Sequence, residues 1–326
     1  MGQAAQIAVL MTCHNRQALT LACLESLRGQ SHFAPHNLFL VDDGSSDGTG
    51  EAVRTAMPGA HVIRGDGTLF WNGGMRLAWD RAKAAGRPFD FYLWLNDDVA
   101  LAPGALDMLV ADADATAPRG SPVIVSAAAC DPVSGAITYG AQGPPDPVSL
   151  LGEVLAPTGQ PIPAVSVSGN IVLVSAAAEA RLGNLRPDFE HIFGDLDYGR
   201  QATARGIPVM LASRMGGTCA GNSARGTSHD ASLGLAARLR LRWREADSIY
   251  GRDWSRFVRL YGNGRRAMLW HRIVPYLRIV RSWLRRHGLA LNGSRTVWRY
   301  SPNPTSRMPA SSGSGSPAGK PLASRM

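Results

Sequence analysis

The chain has 326 residues, of which 45% are hydrophobic and 18% are charged, and its formal net charge at pH 7 is +9. This composition is typical of a globular protein, and the length allows one large or two modest domains. No C-x-x-C pair occurs, which argues against a zinc or redox motif. The four cysteines are scattered along the chain, which favours a reducing compartment. We expect no secretory signal and no membrane-spanning helix, since no apolar run reaches about 18 residues.

The first hundred residues alternate between short apolar runs and amphipathic segments. The apolar runs predict four buried strands, at residues 7–11, 38–41, 61–63 and 91–95. Helices are predicted between them, at residues 18–27, around Val53 and at residues 75–85. This order predicts an α/β fold with a mostly parallel central sheet and helices on both faces. Each strand ends in a polar loop, so these loops should gather at one edge of the sheet.

The middle of the chain is less regular. Residues 122–128 and 165–174 predict two further strands. Residues 140–163 are rich in Pro and Gly and predict a long surface loop near the functional site, which is expected at the edge of the sheet where the polar loops gather. Two helices are predicted next, at residues 176–182 and from residue 193 to residue 204.

The composition changes after His229, where Arg alternates with Trp, Leu and Tyr. We therefore divide the chain into a catalytic domain (1–228), a basic C-terminal helical extension (229–290) and a tail (291–326) whose composition predicts disorder. In the extension a helix is predicted over residues 276–287, starting near Pro275. Its apolar face carries Ile273, Leu277, Val280 and Leu284, and its opposite face carries Arg278, Arg281 and Arg285.

Two interpretations of that helix stay open. Its apolar face could pack on the catalytic domain, or the helix could lie in the headgroup layer of an anionic membrane.

Two adjacent carboxylates follow the fourth predicted strand. Asp97 and Asp98 come directly after Asn96, where open α/β sheets bind ligands. A pair of acids repels itself unless a cation lies between the charges. The motif therefore predicts a metal or ligand site, and the alternative is a solvated loop or a cap on the helix that follows Pro103.

Four motifs now occur in a recognisable order, at residues 12–16 (Thr-Cys-His-Asn-Arg), 41–49 (Val-Asp-Asp-Gly-Ser-Ser-Asp-Gly-Thr), 95–98 (Leu-Asn-Asp-Asp) and 194–198 (Gly-Asp-Leu-Asp-Tyr). Together they resemble family 2 glycosyltransferases, which have the GT-A fold. The greatest similarity is to the bacterial rhamnosyltransferase-like branch, which builds surface polysaccharides. Segments of that branch also resemble residues 169–174, 195–206 and 217–219, and the resemblance extends over about residues 6–290.

The resemblance implies an inverting glycosyltransferase. Such an enzyme moves a sugar from a UDP- or dTDP-linked donor to a hydroxyl of a glycan or lipid-linked acceptor. It also implies a role in bacterial surface polysaccharide synthesis, a divalent metal cofactor (Mg²⁺ or Mn²⁺), and a cytoplasmic or peripheral location on the inner face of the cell membrane.

The same resemblance assigns donor-binding residues. Asp43 matches the position that accepts the imide N–H of the base, and Thr12, Asn15 and Arg16 lie at the neighbouring strand end. Asp42 belongs to the same motif, although turn formation and helix capping are the alternative for both acids. Further donor contacts are expected from Asp66, Trp71 and Asn72, with Trp71 equally compatible with the core.

Asn96, Asp97 and Asp98 match the family's D-x-D motif, with Asn in the first place. A hard divalent cation neutralises a leaving diphosphate, and Asp98 is the expected metal ligand. Asn96 and Asp97 are then expected to contact sugar or ribose. Many family members carry a metal-binding His near the position of Thr218 or Cys219, which this chain lacks. His191 and His229 are nearby in sequence, but a lone His more often has a surface or structural role.

Asp195 matches the family's catalytic carboxylate. It lies at the mouth of a predicted helix, where backbone N–H groups point outward. In-line attack with Asp195 as the general base would invert the anomeric centre. Asp197 is the alternative base, or else a helix cap.

Three other classes compete with this interpretation. A dinucleotide-binding oxidoreductase would need G-x-G-x-x-G after the first strand, and residues 12–16 contain no glycine. A nucleic-acid-binding protein is suggested by the basic C-terminal region but opposed by the acidic loops, so we expect no nucleic-acid partner. A non-catalytic nucleotide-sugar-binding homologue is the third, and the presence of Asp98 and Asp195 argues against it.

Overall fold

The structure, a computed structural model, describes residues 5–288. Its first part contains β1 (Ile7–Cys13), α1 (Gln17–Arg28), β2 (Leu38–Asp42), α2 (Thr49–Ala56), β3 (His61–Arg64), α3 (Phe70–Lys83) and β4 (Phe91–Leu95). This alternation is the predicted one, except that α3 begins at Phe70 rather than at residue 75. The cause is a distant residue, since the carboxylate of Asp43 accepts the backbone N–H of Phe70. Trp71 and Asn72 therefore lie in a helix and not in a loop.

The second part of the catalytic region is more elaborate than predicted. It contains β5 (Ala100–Leu101), α4 (Ala105–Thr116), β6 (Ile124–Cys130), β7 (Ile137–Tyr139), β8 (Ala141–Pro145), β9 (Gly152–Val154), β10 (Ile162–Pro163), β11 (Ser166–Val167), β12 (Ile171–Ser175), α5 (Ala176–Leu182), α6 (Gly194–Ala204) and β13 (Val209–Thr218). The prediction of one long loop at residues 140–163 was wrong. Strands β11, β8 and β9 form a small antiparallel sheet there, whose backbone pairing a Pro- and Gly-rich sequence does not reveal.

The central sheet has the strand order β10-β13-β6-β12-β4-β1-β2-β3. Strand β1 pairs in parallel with β2 and β4, β2 pairs in parallel with β3, and β6 pairs in parallel with β13. Strand β12 is antiparallel to both β4 and β6. Strands β1, β2, β3 and β4 are therefore parallel to one another, and the rest of the sheet is mixed. The start of β12 therefore reaches the same edge as the ends of β1, β2 and β4.

Helices cover both faces of the sheet, as the sequence predicts. In β1, Ile7, Val9 and Met11 join the core on one face, while Ala8 and Leu10 join the core on the other. In the second core, the rings of Trp79, Trp94 and Tyr198 lie 5.2–5.6 Å apart between centroids. These buried aromatic contacts fix α3 and α6 against β4, which sets the position of the first turn of α6.

The C-terminal extension consists of α7 (Leu235–Asp247), α8 (Ile249–Tyr261) and α9 (Gly264–Arg286). The helix predicted at residues 276–287 is thus the second half of a longer helix that contains Pro275. The predicted apolar face is also not the buried one, because Ile273 and Leu277 are 45% and 55% exposed. Ile279 and His271 are buried instead, since α9 packs on α7 and α8.

Helix α8 joins the extension to the catalytic region. Its Phe257 and Val258 are buried in one hydrophobic cluster with Phe189 and Leu196. Within residues 5–288, no helix combines the length and the apolar character needed to cross a bilayer. The tail assigned to residues 291–326 lies outside the described part of the chain.

Candidate active site

The ends of β1 and β2 hold their loops together through backbone contacts. Asp43, which is 4% exposed, accepts the N–H groups of Gly67 and Phe70 at 2.9 Å each. Asn15 accepts the N–H of Ser46 at 2.8 Å, and its own N–H donates to Ser45. Both side chains therefore shape the rim of the site, and the accepting oxygens of Asp43 keep capacity for a further donor.

Arg16 lies between the two acids of the Asn96-Asp97-Asp98 motif. Its Nη1 is 2.8 Å from Oδ1 of Asp97 and 3.1 Å from Oδ2 of Asp98. The cation that the sequence requires between these carboxylates is thus supplied by the chain itself. Thr20 donates to the other oxygen of Asp97. Burial, opposed by Arg16, raises the pKa of Asp97 to about 6.

Trp71 connects this cluster to the start of β12. Its indole N–H donates to Oδ1 of Asn96 at 2.8 Å, and its ring lies 6.3 Å from that of Trp94. A Cβ on Gly169 would overlap the Trp71 ring, so the absence of a side chain there allows the close approach. Trp71 thus contacts the core on one side and the cavity on the other.

Asp195 lies in the first turn of α6, next to Gly169. Its carboxylate accepts the N–H of Gly169 at 2.7 Å and that of Leu196 at 2.8 Å. Burial raises the pKa of Asp195 to about 6, although these N–H groups oppose the shift. A carboxylate with a raised pKa is a stronger base at neutral pH, which is what deprotonation of a hydroxyl requires.

Asp197 has a different environment. It is fully buried and accepts from Tyr261 Oη at 2.6 Å, from Gln201 at 2.7 Å and from Arg186, whose Nε is 3.2 Å away. These partners occupy its carboxylate, and Tyr261 joins α6 to α8. The geometry therefore favours Asp195 over Asp197 as the base.

Four residues that the sequence assigns to the donor site do not line the cavity: Asn96, which accepts from Trp71, and Asp42, Asp66 and Asn72. Asp42 lies under the turn and accepts the N–H of Ser45 at 3.0 Å, which is the turn-forming role. Asp66 is exposed and bonds Thr68 in its own loop. Asn72 is fully buried, and its amide donates to the carbonyl oxygens of Arg186 and Phe189 at 2.9 and 2.7 Å. Asn72 points inward because it is in the first turn of α3.

A cavity of about 1710 Å³ joins the sheet edge to the C-terminal helices. The sheet edge contributes Thr12, Arg16, Asp43, Trp71 and Asp97 to its lining. The extension contributes Arg242, Tyr250, Trp254, Trp270 and Arg278. A typical small-molecule pocket has about 300–1,000 Å³, so the volume is sufficient for two substrates.

The two histidines near the site have distinct positions. His191 lines the cavity, and its Nδ1 accepts the N–H of Trp71 at 3.3 Å. Burial lowers the pKa of His191 to about 4, so its ring is neutral at pH 7. His229 lines the cavity from the side of the extension, and burial lowers its pKa as well.

Asp98 is the carboxylate of the Asn96-Asp97-Asp98 motif that a divalent cation could reach most easily, since Asp97 is buried. In the described part of the chain, no three His, Cys, Asp or Glu side chains form a group that could hold a metal ion. Asp98 is 21% exposed, and its Oδ1 is 3.4 Å from the Cys219 sulfur. Burial raises the pKa of that thiol well above its usual value, so it is protonated. Mg²⁺ usually takes one or two carboxylates plus phosphate oxygens and water, and Asp98 fits such a cation when a diphosphate supplies the other ligands.

Sequence reasoning missed Asp253, which is fully buried in α8. Its carboxylate accepts the backbone N–H groups of Glu190, His191 and Ile192 at 2.7–3.2 Å, and Arg256 pairs with it at 3.0 Å. An acid between arginines on a basic helix gives no local sign of this role. Asp253 fixes the segment that leads into α6 and Asp195.

We expect Asp253→Asn to lower the free energy of unfolding by about 2–3 kcal/mol, because charge-assisted hydrogen bonds to buried groups are lost. The rate of the predicted sugar transfer should fall together with the stability, while the affinity for the predicted donor should stay within a factor of about two. Denaturant unfolding and donor titration measure the two effects. Asp247→Asn, at an exposed carboxylate of α7, is the matched control. If Asp253→Asn is as stable as the parent protein, the hydrogen bonds from residues 190–192 to Asp253 do not stabilise the fold.

Comparison with known proteins agrees with this geometry. Residues 8–127 match the family model described as glycosyl transferase family 2. The solved structure of GalNAc-T7 with UDP, GalNAc and Mn²⁺ is similar at 15% identity and a TM-score of 0.50, over 85% of this chain and 55% of that one. This chain thus spans about half the length of GalNAc-T7, and the likeness concerns the fold. No curated protein matches.

The fold is therefore GT-A with C-terminal helices, as the sequence predicts. Both comparisons are with glycosyltransferases, the family model covers less than half of this chain, and neither comparison identifies the rhamnosyltransferase-like branch.

Proposed function

We propose that this protein is an inverting glycosyltransferase that moves a hexose or deoxyhexose from a UDP- or dTDP-linked donor to a hydroxyl of a glycan or lipid-linked acceptor. Its setting is bacterial surface polysaccharide synthesis, on the rhamnosyltransferase-like branch. One observation carries the proposal. A continuous chain of contacts at one sheet edge runs from the Arg16–Asp97–Asp98 cluster through Asn96, Trp71 and Gly169 to Asp195.

The donor end of this chain suits a diphosphate. Arg16 brings positive charge to the cavity, and Thr12 and Asp43 line the cavity beside it. Asp98 would hold Mg²⁺ or Mn²⁺ together with the donor phosphates. A bound divalent cation would neutralise charge on the leaving diphosphate. Asn15 shapes the rim, whereas Asn96 and Asp97 are the proposed sugar or ribose contacts.

The acceptor end of the chain suits a general base. Asp195 would accept the proton of the acceptor hydroxyl as that oxygen attacks the anomeric carbon. Attack opposite the leaving diphosphate inverts the configuration at that carbon. Asp195 keeps its orientation through the N–H groups of Gly169 and Leu196, so little rearrangement precedes the step.

A donor screen tests this function. The full chain is incubated with a panel of UDP-, dTDP- and GDP-sugars and Mg²⁺ or Mn²⁺, and nucleotide release and UDP or dTDP binding are both measured. Release from a UDP- or dTDP-sugar is the expected result. Binding without release would indicate a non-catalytic homologue, and absence of both would overturn the proposal.

We also propose a peripheral location on the cytoplasmic face of the cell membrane, through α9. The helix exposes Leu269, Ile273 and Leu277, which are 62%, 45% and 55% exposed. Exposed arginines lie along the same helix, at positions 265, 266, 272, 281, 285 and 286. Apolar and cationic groups on one helix match the headgroup layer of an anionic membrane.

Sedimentation with vesicles tests this location. Changing Arg281, Arg285 and Arg286 to Gln should weaken partitioning into anionic vesicles on the order of 100-fold at low salt, since each basic residue contributes about 1 kcal/mol. Neutral vesicles should bind both proteins equally. If the variant and the parent partition alike into anionic vesicles, α9 does not meet the membrane through these charges.

A further inference from the structure

The part of the cavity that lies against the extension carries an excess of positive charge. The guanidinium groups of Arg242 on α7 and Arg278 on α9 line it, next to the ring of His229. Glu245 also lines it, but its carboxylate accepts from the N–H and the hydroxyl of Ser228 at 2.8 and 2.6 Å, and it is 3.7 Å from Arg242. The acids Asp43 and Asp97 belong to the sheet-edge end of the cavity.

A buried arginine holds this cationic group in place. Arg238, which is 4% exposed, donates to the carbonyl oxygen of Ser228 at 2.9 Å and to the hydroxyl of Ser282 at 3.0 Å. It thereby joins α7 to α9 and to the loop that carries His229. Arg242, Arg238 and Arg278 all help to lower the pKa of His229, after burial, which is consistent with their proximity.

An apolar strip begins at the mouth of the same cavity. Trp270, Val274 and Pro275 of α9 line the cavity wall, and Trp270 is also 49% exposed. Leu269, Ile273 and Leu277 follow one another at a spacing of four residues, so they form a strip beside that wall. Such a contiguous exposed apolar strip on a soluble domain indicates a binding surface.

We propose that this region is an acceptor subsite for a lipid-linked phosphate or diphosphate. Arg242 and Arg278 bind the phosphate oxygens, and the hydrocarbon tail leaves along Trp270 and the Leu269–Ile273–Leu277 strip. The reasoning rests on the proposed transferase function, because it concerns the acceptor of the same reaction. Guanidinium groups match phosphate geometry, and an apolar strip that starts at the cavity mouth matches a tail attached to the anion.

The position of the subsite also gives the direction of the acceptor. Its glycan would extend from the extension toward the sheet edge, where Arg16, Trp71 and Asp97 line the other end of the cavity. A donor diphosphate has the same chemistry as an acceptor diphosphate. The test therefore has to separate the two sources.

Calorimetry with three probes makes that separation. Farnesyl diphosphate, inorganic diphosphate and farnesol are titrated into the full chain, first alone and then with Mg²⁺ and a saturating concentration of UDP or dTDP, whichever nucleotide binds. We expect farnesyl diphosphate to bind more tightly than either other probe, and to bind equally well when the nucleotide is present. Competition with the nucleotide would assign the arginines to the donor site and overturn the proposal.

Two variants and one matched control complete the test. Arg242→Gln/Arg278→Gln should weaken farnesyl diphosphate at least about 10-fold, since charge-assisted hydrogen bonds are lost, while the affinity for the nucleotide is retained. Leu269→Ser/Ile273→Ser/Leu277→Ser should weaken farnesyl diphosphate but not inorganic diphosphate. Arg240→Gln/Arg259→Gln, at exposed positions of α7 and α8 outside the cavity lining, should leave the affinities for farnesyl diphosphate and inorganic diphosphate unchanged.

The outcomes are distinguishable from failure of the transferase function. Failure of both UDP and dTDP to bind would refute the proposed function itself. Normal nucleotide binding with no affinity for farnesyl diphosphate, or equal loss in the variant and the control, would refute the acceptor subsite alone. Thermal unfolding of each variant shows whether a loss reflects misfolding. If Arg242→Gln/Arg278→Gln is unfolded, farnesyl diphosphate binding by each single variant decides the question.

Discussion

Asp195→Asn is expected to abolish sugar transfer while leaving donor binding close to normal. The Asn side chain has nearly the same shape and keeps one oxygen for the N–H of Gly169 or Leu196, so the first turn of α6 should be preserved. It cannot accept the acceptor's proton. The expected loss in kcat is about 10²–10⁴-fold, the usual contribution of a general base. Initial rates of transfer and calorimetric titration with nucleotide measure the two properties.

Asp197→Asn is the informative comparison. Its partner Tyr261 joins α6 to α8, and its partner Arg186 joins α6 to the segment that precedes it. This variant should therefore unfold at a lower temperature and keep most of its activity per folded molecule. The reverse pattern, with Asp195→Asn active and Asp197→Asn inactive yet folded, would move the base to Asp197.

The pH dependence of the transfer rate should also identify Asp195 as the base. Burial raises the pKa of Asp195 to about 6, and the base acts when it is deprotonated. Activity should therefore be full well above pH 6 and fall about tenfold per unit below it. The residual activity of Asp195→Asn should lack this acid limb. A limb that persists in the variant would point to Asp97, whose pKa is raised to about the same value.

Removal of divalent metal should have the second largest effect. Excess EDTA should abolish transfer, and Asp98→Ala should lose both the activity and its response to metal. Even outer-shell partners of a metal contribute about 10–100-fold, so loss of the more accessible carboxylate of the motif should exceed that. Transfer rates across a Mg²⁺ and Mn²⁺ titration, for both proteins, measure the effect.

Arg16 leads to a further expectation about when a metal ion binds. It pairs with both Asp97 and Asp98, so Mn²⁺ should bind weakly to the free protein and more tightly with UDP present. Paramagnetic broadening by Mn²⁺, with and without UDP, would show the difference. Full activity in EDTA would instead leave Asp97 and Asp98 as partners of Arg16 and contacts of the donor.

The sequence predicted most of the sheet because its strands are short, apolar and buried on both faces. The runs that became β1, β2 and β4 differ from their predicted limits by at most two residues. The start of α3 was missed because its cap, Asp43, is far away in sequence. Residues of α9 before Pro275 were missed because proline normally ends a helix, whereas this helix continues through it.

The candidate site was predictable where charged, polar and aromatic side chains lie in the loops that follow the strands. Arg16, Asp43, Trp71 and Asp97 do line one cavity, although their roles toward a donor stay predictions. Asn72 was misplaced because the position of a helix start decides whether a side chain points inward. Asp253 could not be found, because its role depends on the backbone of a segment far away in the chain.

The contacts between α8 and the segment around the start of α6 also limit how this protein can be recombined with its relatives. Asp253 holds the backbone of Glu190 and Ile192, and Tyr261 holds Asp197. A chimaera that takes α8 from one relative and residues 186–198 from another would combine segments whose side chains are not matched for these hydrogen bonds. The motifs of the proposed donor site and the C-terminal helices therefore cannot be exchanged independently, and these two segments have to be exchanged together.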